Sequence, residues 1–507
     1  MMIGKIAIFS FVFGVCFSFP ASAQIRLAGN DDYILTLSPS VRTDVISMNN
    51  TIDLDSSNDD DQTTYFGLDY SLAFDLKFKE QGPQLYARFN RSGPYGYDAP
   101  IFVHNTLRTS VAPVEKYQEA DLLPGMKEFW WDSRPLALPV RLKTGSFALN
   151  VGHGFIGSYE NYGVEFYNVQ EDSLAWHLHY FLPDLIHNQR LGPVISQEKD
   201  QLIDYEHSKS HLMAADVIWP VHEHATLQPY ASVLYDSTDG KRSSYFTTPT
   251  HKDILGVAGI SYDAVFGKWT LGLEAARNFG KAKSSDDAYE DVTHQGYLLY
   301  EGVTYELGRF KPRSKVIYAS GNQVTTEMVD AGDTTLGGGK NRAFSVYSPL
   351  NTNLADSLTQ PTSVGPLVAM GTGWGLNYGV GHPTTFADAT LHDNIFVWSI
   401  GFEYQLTDKL TASMDGWFLR SAQKGIGTLN GSAVELSQDL GKEMDLTLAY
   451  TLNKNVTLNW AGGYFWPGRY YKEERDDTGG SLFTPFVRGD GEADKAYQVE
   501  MYITVSF

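Results

Sequence analysis

The chain has 507 residues, 13% of them aromatic, and sets 39 Lys and Arg against 60 Asp and Glu for a formal net charge of −21. So acidic a balance excludes nucleic-acid binding through bulk charge. The single cysteine, Cys16, falls in a segment expected to be discarded, which excludes a disulfide, a thiolate metal site or a covalent haem link from the mature protein.

Lys5 opens the chain with a positive charge, Ile6 to Phe19 is an apolar run too short to span a bilayer, and Ala21-Ser22-Ala23 is a small-residue cleavage site. Residues 1–23 therefore read as a secretory signal peptide and residues 24–507 as the exported protein. No later apolar run reaches about 18 residues, so no spanning helix is expected.

Beyond the leader, segments alternate apolar and polar residues with the period of a strand. Tyr33 to Ile46 is the first, in spite of Pro39. In the next, Leu68, Tyr70, Leu72, Phe74, Leu76 and Phe78 make an apolar face with Asp69, Ser71, Asp75 and Lys77 opposite. Lys79 to Gly82 is a tight spacer, and Leu85, Ala87 and Phe89 then resume the apolar face against Tyr86, Arg88 and Asn90, as in a hairpin. The unit recurs as Glu128–Asp132 with Val140–Thr144, Val164–Tyr167 with Leu174–Tyr180, and Leu212–Trp219 with Leu227–Tyr235. It continues as Ile254–Tyr262 with Trp269–Phe279 and Tyr297–Leu307 with Arg313–Ser320, the strand at Tyr297 being readable with either Glu301 or Glu306 on the apolar side. Phe396–Leu406 with Leu410–Phe418 and Met444–Leu452 with Val456–Tyr464 complete the hairpins.

Long spacers rich in Gly, Asp, Asn, Ser and Thr separate these hairpins, the longest being Gly321 to Ile395. That one holds Leu336-Gly337-Gly338-Gly339-Lys340, Tyr347-Ser348-Pro349 and Gly371-Thr372-Gly373-Trp374-Gly375, and part of residues 321–395 is expected to form a constriction or a cover over the mouth. The last strand, Ala496 to Phe507, places Tyr497, Val499, Met501, Ile503, Val505 and Phe507 on one side. Such a face needs no protein cover if it meets lipid, and a terminal Phe suits an aromatic girdle. Eight short turns and nine long loops thus join 18 strands. Strict alternation of short and long connections predicts an all-β, transmembrane antiparallel barrel with short periplasmic turns and long external loops, integral to a bacterial outer membrane and surrounded by lipid and lipopolysaccharide.

Leu440-Gly441-Lys442-Glu443-Met444-Asp445-Leu446-Thr447-Leu448, continuing through Leu452-Asn453-Lys454-Asn455-Val456-Thr457-Leu458 to Gly463-Tyr464-Phe465-Trp466-Pro467-Gly468, resembles the C-terminal hairpin of the alginate-export family of outer-membrane barrels. Pro139 to Phe166, with Gly145 and Tyr162-Gly163-Val164, is a weaker second match. The resemblance implies an 18-stranded barrel, in line with the count above. The alginate exporter is similar in plan but conducts an acidic polymer through a strongly basic lumen. Here Gly145-Ser146-Phe147 stands where the family usually has Gly-Arg-Gln, so one expected basic group is missing.

If the apolar positions face lipid, the pore-lining basic residues are Arg42, Arg88, Arg141, Lys143, Arg313 and Lys315. The pore-lining acids are Asp69, Asp75, Glu165, Asp216, Glu274, Glu403, Asp415, Glu443, Asp445 and Glu500. One arrangement makes the cations a track with acids as opposing rungs; the other pairs them across neighbouring strands merely to keep the interior wetted. His177 and His179 share a strand face and His222 and His224 bracket Glu223, but two ligands do not make a site, so neither a metal nor a cofactor is expected. No Ser-His-acid set assembles from the spacing, His153 in Gly152-His153-Gly154 reads as a loop residue, and Leu336–Lys340 lacks the first glycine of a phosphate loop, so no enzyme is expected. The expected function is passive passage of a hydrophilic solute, ion or polymer, with no separate plug preceding the barrel. The alternative is a sleeve around a periplasmic partner such as a multi-haem cytochrome, which would bring its own haem because the chain has no Cys-x-x-Cys-His.

Overall fold

A computed structural model of the chain describes residues 25–29, 32–49, 63–78, 82–91, 94–95, 125–134, 140–149, 151–153, 160–168, 174–182, 210–237, 241–242, 249–284, 290–323, 325–326, 339–344, 394–474 and 493–506. The alternating segments pair edge to edge in one antiparallel sheet. In chain order the wall is β1 (Tyr33–Asn49), β2 (Thr63–Phe78), β3 (Gln84–Arg91), β4 (Gly125–Ser133), β5 (Val140–Ala148) and β6 (Glu160–Asn168). It continues with β7 (Ala175–Leu182), β8 (Ser210–His222), β9 (Ala225–Asp236), β10 (Pro249–Phe266), β11 (Trp269–Ser284) and β12 (Tyr297–Tyr305). The remaining strands are β13 (Phe310–Ala319), β14 (Ile395–Gln405), β15 (Leu410–Ser421), β16 (Asp439–Asn453), β17 (Val456–Pro467) and β18 (Ala496–Ser506). Each strand pairs with the next, and β1 pairs with β2 on one edge and with β18 on the other, from Ser40 opposite Ser506 to Asn49 opposite Tyr497. The sheet is a closed 18-stranded barrel.

Closure is what the outer surface requires. Leu178, Met213, Ile260, Leu299, Ile400, Met444 and Leu446 lie between 38% and 57% exposed at mid-wall, so their natural neighbour is hydrocarbon. Aromatics flank that band: Trp219, Trp269 and Tyr404 stand near the short turns and Tyr180, Tyr297, Trp398 and Tyr497 near the long loops. Among the described residues no helix is long and apolar enough to cross a membrane; strands make the crossing.

At two hairpins the strands run further toward the short turn than the expected bounds. The spacer Pro220–Thr226 shrinks to Glu223-His224 and Asp263–Lys268 to Gly267-Lys268, because backbone pairing continues where the strict alternation of apolar and polar residues stops. Gly267, at φ +60°, makes such a two-residue turn possible. Pro39 and Pro312, both inside strands, each fall where one ladder is interrupted. Pro39 lies between the Ser40–Ser506 pair with β18 and the Leu37–Ile25 pair with the short extended segment Ile25–Gly29. Pro312 lies just past Thr304–Arg313, the last pair between β12 and β13. A missing N–H costs little at either place. Of the two registers open for β12, the structure takes the one that turns Glu301 outward, beside Leu299.

Within the spacer 321–395, Lys340–Asn341 pairs with Thr293–His294, and Phe344 is fully buried against the wall. Tyr347-Ser348-Pro349, Gly371–Gly375 and the leader 1–23 lie outside the described residues.

A cation on the outer belt tests the orientation. Ile400→Arg at mid-wall should destabilise the folded barrel by about 2–4 kcal/mol, whereas Thr447→Arg on the inner face should cost much less. Reversible urea unfolding in lipid vesicles reads the difference, and equal costs would place the two faces wrongly.

Candidate functional site

The register fixes which side chains meet inside the ring, because directly paired residues share a face. Every basic and acidic position singled out from the sequence falls on the face opposite the exposed apolar residues; of Asp69 only the register, opposite Arg42, is described. The cations form two groups on facing arcs, one from β1 to β5 and one on β13. They do not form a separate track. Arg42 pairs with Glu500, Arg88 lies 3.4 Å from Glu128, Arg141 2.9 Å from Asp132, and Lys143 3.8 Å from Glu165. On the far arc Arg313 donates from Nε to Asp415 at 2.8 Å, and Lys311 lies 3.4 Å from Glu403. Lys315 stands over the Trp417 ring at 5.9 Å.

Two of these contacts reach beyond nearest neighbours. Arg313 and Asp415 sit on β13 and β15 and meet across Gly401 of β14, where an added Cβ would come within 2.2 Å of the Asp415 carboxylate. The glycine is the gap through which the ion pair closes. Asp415 also stands directly opposite Asp445, and Arg313 offsets that like-charge pair. Asp75 accepts from Gln84 at 2.7 Å, while Glu443 is fully buried opposite Trp417 and Phe465.

Above this polar belt, toward the long loops, the inner face turns apolar. Phe147, Phe181, Leu212, Val257, Leu298, Ile317, Val397, Trp417, Leu419 and Phe465 form one buried cluster with residues of segments folded in from the loops, among them Leu149, Val151, Phe344 and Tyr471.

The most specific in-folded segment is 149–153. It leaves β5 and reaches Glu274 on β11, six strands round the wall. The His153 backbone N–H donates to Glu274 Oε2 at 2.7 Å, its ring Nδ1 meets the same oxygen at 2.9 Å, and Nε2 meets Asp263 Oδ1 on β10 at 3.0 Å. Tyr230 on β9 donates to the other Glu274 oxygen, and the Tyr300 ring on β12 lies 4.9 Å from the imidazole. Glu274 is thus a fully buried carboxylate held by three donors. Gly152, at φ +59°, packs so closely that a Cβ would come within 2.7 Å of Glu274. Burial disfavours the charged imidazole of His153, but the hydrogen bonds to Asp263 and Glu274 outweigh it and raise its pKa to about 9. Sequence reading places His153 in a loop, as found, but its partner is 121 residues away and has no local signal.

A family model described as alginate export matches residues 183–484, more than half of the chain. The chain belongs to the alginate-export family. The match takes in the hairpin Leu440–Gly468, and the weaker resemblance at Pro139–Phe166 lies outside it. As a member of the alginate-export family this is an outer-membrane transport barrel and not an enzyme. Solved structures similar to it include Pseudomonas aeruginosa OccK2 (OpdF) in complex with glucuronate, at TM-score 0.48 and 10% identity over 93% of this chain and 98% of that one. P. aeruginosa OccK8 (OprE) is similar at TM-score 0.49 and 10% identity over 93% and 98%, and OccK11 (OpdR) at 0.46 and 9% over 95% and 99%. No curated protein matches the sequence.

The anchor of the in-folded segment should depend on pH. A histidine raised from 6.5 to about 9 holds its charge-dependent contribution in full below pH 6.5 and loses it as pH climbs through 9. Proteolysis at residues 149–159 should accelerate over that window in the wild type, and His153→Asn should already be fast at neutral pH and flat with pH. Gly152→Ala should loosen the segment by about 1–3 kcal/mol through backbone strain alone. Wild-type cleavage rates that do not change with pH would remove His153 from the anchor.

Proposed function

We propose that the barrel is a passive channel in which a hydrophilic solute, ion or polymer moves along the charged inner wall, narrowed where residues 149–153 cross to Glu274. Residues 1–23 direct export and are removed, and residues 24–507 fold in the outer membrane among lipid and lipopolysaccharide. The observation that carries this reading is the polar belt of the inner wall, where Arg42, Arg88, Arg141, Lys143 and Arg313 are each matched by a carboxylate. Clustered charges at a constriction focus the local field and select ions by sign.

Acids outnumber bases among the inward positions, and the basic residue usual in the family is absent at Ser146. A wall of this kind suits neutral or cation-bearing solutes better than a polyanion such as alginate. Lys340–Phe344, docked beside Thr293–His294, supports a part for the spacer 321–395 in covering the mouth.

Planar-bilayer recordings test the channel. Purified barrel should give stable, ion-selective conductance steps, weakly cation-selective in the wild type. Replacing Arg88, Arg141 and Arg313 together with Glu should move the reversal potential further toward cations; unchanged potentials would deny these residues a place on the pathway. A silent barrel that co-purifies with a cytochrome would support the sleeve instead.

A further inference from the structure

Beside the Lys143–Glu165 ion pair of the inner wall lies a group of side chains whose pairing leaves one buried nitrogen unmatched. His177 and His179 point inward from β7, Glu165 from β6 and Asp216 from β8. Asp216 is almost wholly buried and takes the Nδ1 side of His177 at 3.0 Å, the Nε2 side of His179 at 3.1 Å and the Gln228 amide at 3.0 Å. A carboxylate only accepts, so both imidazoles must donate to it. That fixes the tautomers: His177 keeps its lone pair on Nε2 and His179 on Nδ1.

His179 Nδ1 is the telling atom. The side chain is 6% exposed, and this nitrogen is buried with no hydrogen-bond partner, facing Glu165 Oε1 at 4.0 Å. A basic nitrogen in that position costs free energy unless something binds it. Lys143 does not fill the role, because its ammonium lies 3.8 Å from the other Glu165 oxygen and is held over the Trp130 and Phe147 rings. One donor atom from each of Glu165, His177 and His179 falls within 4.8 Å of the others. Ligands around a four-coordinate ion at metal–nitrogen distances of about 2.0–2.1 Å stand roughly 3.3 Å apart, so the three need close by at most about 1.5 Å.

We propose that Glu165, His177 and His179 form a divalent transition-metal site on the inner wall, with Asp216 as the shared positioning residue behind both histidines. One carboxylate holding the far nitrogens of two ligating imidazoles orients the rings and raises their basicity. Two imidazoles and one carboxylate favour zinc, copper, nickel or cobalt over calcium or magnesium. The groups facing the site are Lys143, Glu165, Tyr167, His177, His179 and Asp216, so an occupied site adds positive charge to an acid-rich wall.

The test uses the folded full-length barrel, free of any affinity tag, stripped with chelator and carrying His222→Ala and His224→Ala to remove the exposed turn pair. Titration with Co2+, followed by its ligand-field absorption and by equilibrium dialysis, should show one saturable ion, displaced by Zn2+ but not by Ca2+. Binding should release protons, because a ligating imidazole must be deprotonated. His179→Ala should abolish binding, and Asp216→Asn should weaken it about 10–100-fold. Should His179→Ala fail to assemble, as judged by loss of heat-modifiable gel mobility, the near-isosteric Glu165→Gln carries the test with an expected weakening of about tenfold or more. Absence of a saturable ion, or affinity unchanged in Glu165→Gln and Asp216→Asn, overturns the site. Binding is read without conduction, so it stands or falls apart from the channel; a shift of reversal potential toward anions on adding Zn2+ is the further readout that rests on the channel reading.

Discussion

In hydrocarbon there is no water to satisfy a backbone N–H or C=O, and an unpaired one costs several kcal/mol. Every other feature of this chain follows from meeting that demand with strands. A sheet with an open border is not tolerated in lipid, so β18 must return to β1, and the described pairs from Ser40–Ser506 to Asn49–Tyr497 make that seam. Pro39 and Pro312 respect the same demand by occupying places where a ladder is already interrupted.

Once the ring closes outward to lipid, each strand has to send its polar residues inward, and the inside must then manage a crowd of charge. It does so by interleaving. Arg141 meets Asp132, Lys143 meets Glu165, Arg42 meets Glu500 and Arg313 meets Asp415, so few inner charges face only their own sign. Toward the long loops the inner face changes to aromatic and aliphatic residues, and Leu149, Val151 and Phe344 from the loops pack into it. The wall is therefore graded along its axis, wet in the middle and dry near the outer mouth.

Much of this was legible in the sequence, and for one reason. The period of two is imposed by lipid on one side alone, so Leu446 and Met444 can be told from Asp445 and Glu443 without knowing any neighbour. Strand number and connection lengths follow from the same signal. What sequence cannot carry is which inward residues meet. Asp132 is not among the expected pore acids, yet it holds Arg141; Gly401 looks like any strand glycine, yet it is the opening through which Arg313 reaches Asp415. His177 and His179 are visible as a pair on one face, but Glu165 and Asp216 join them only through register across β6, β7 and β8. The strands before Glu223-His224 and Gly267-Lys268 extend past their alternating stretch because backbone hydrogen bonding does not need the two-residue pattern to continue.

The tie from His153 to Glu274 has a mechanical side. A ring of strands resists stretching along its circumference but yields easily to flattening, since ovalisation bends the sheet without breaking any ladder. A chord fixed at both ends changes that, because the span from β5 to β11 can no longer lengthen without pulling the imidazole off two carboxylates. The cross-section of this barrel is accordingly trussed, and its shape is set by one buried acid as much as by the number of staves.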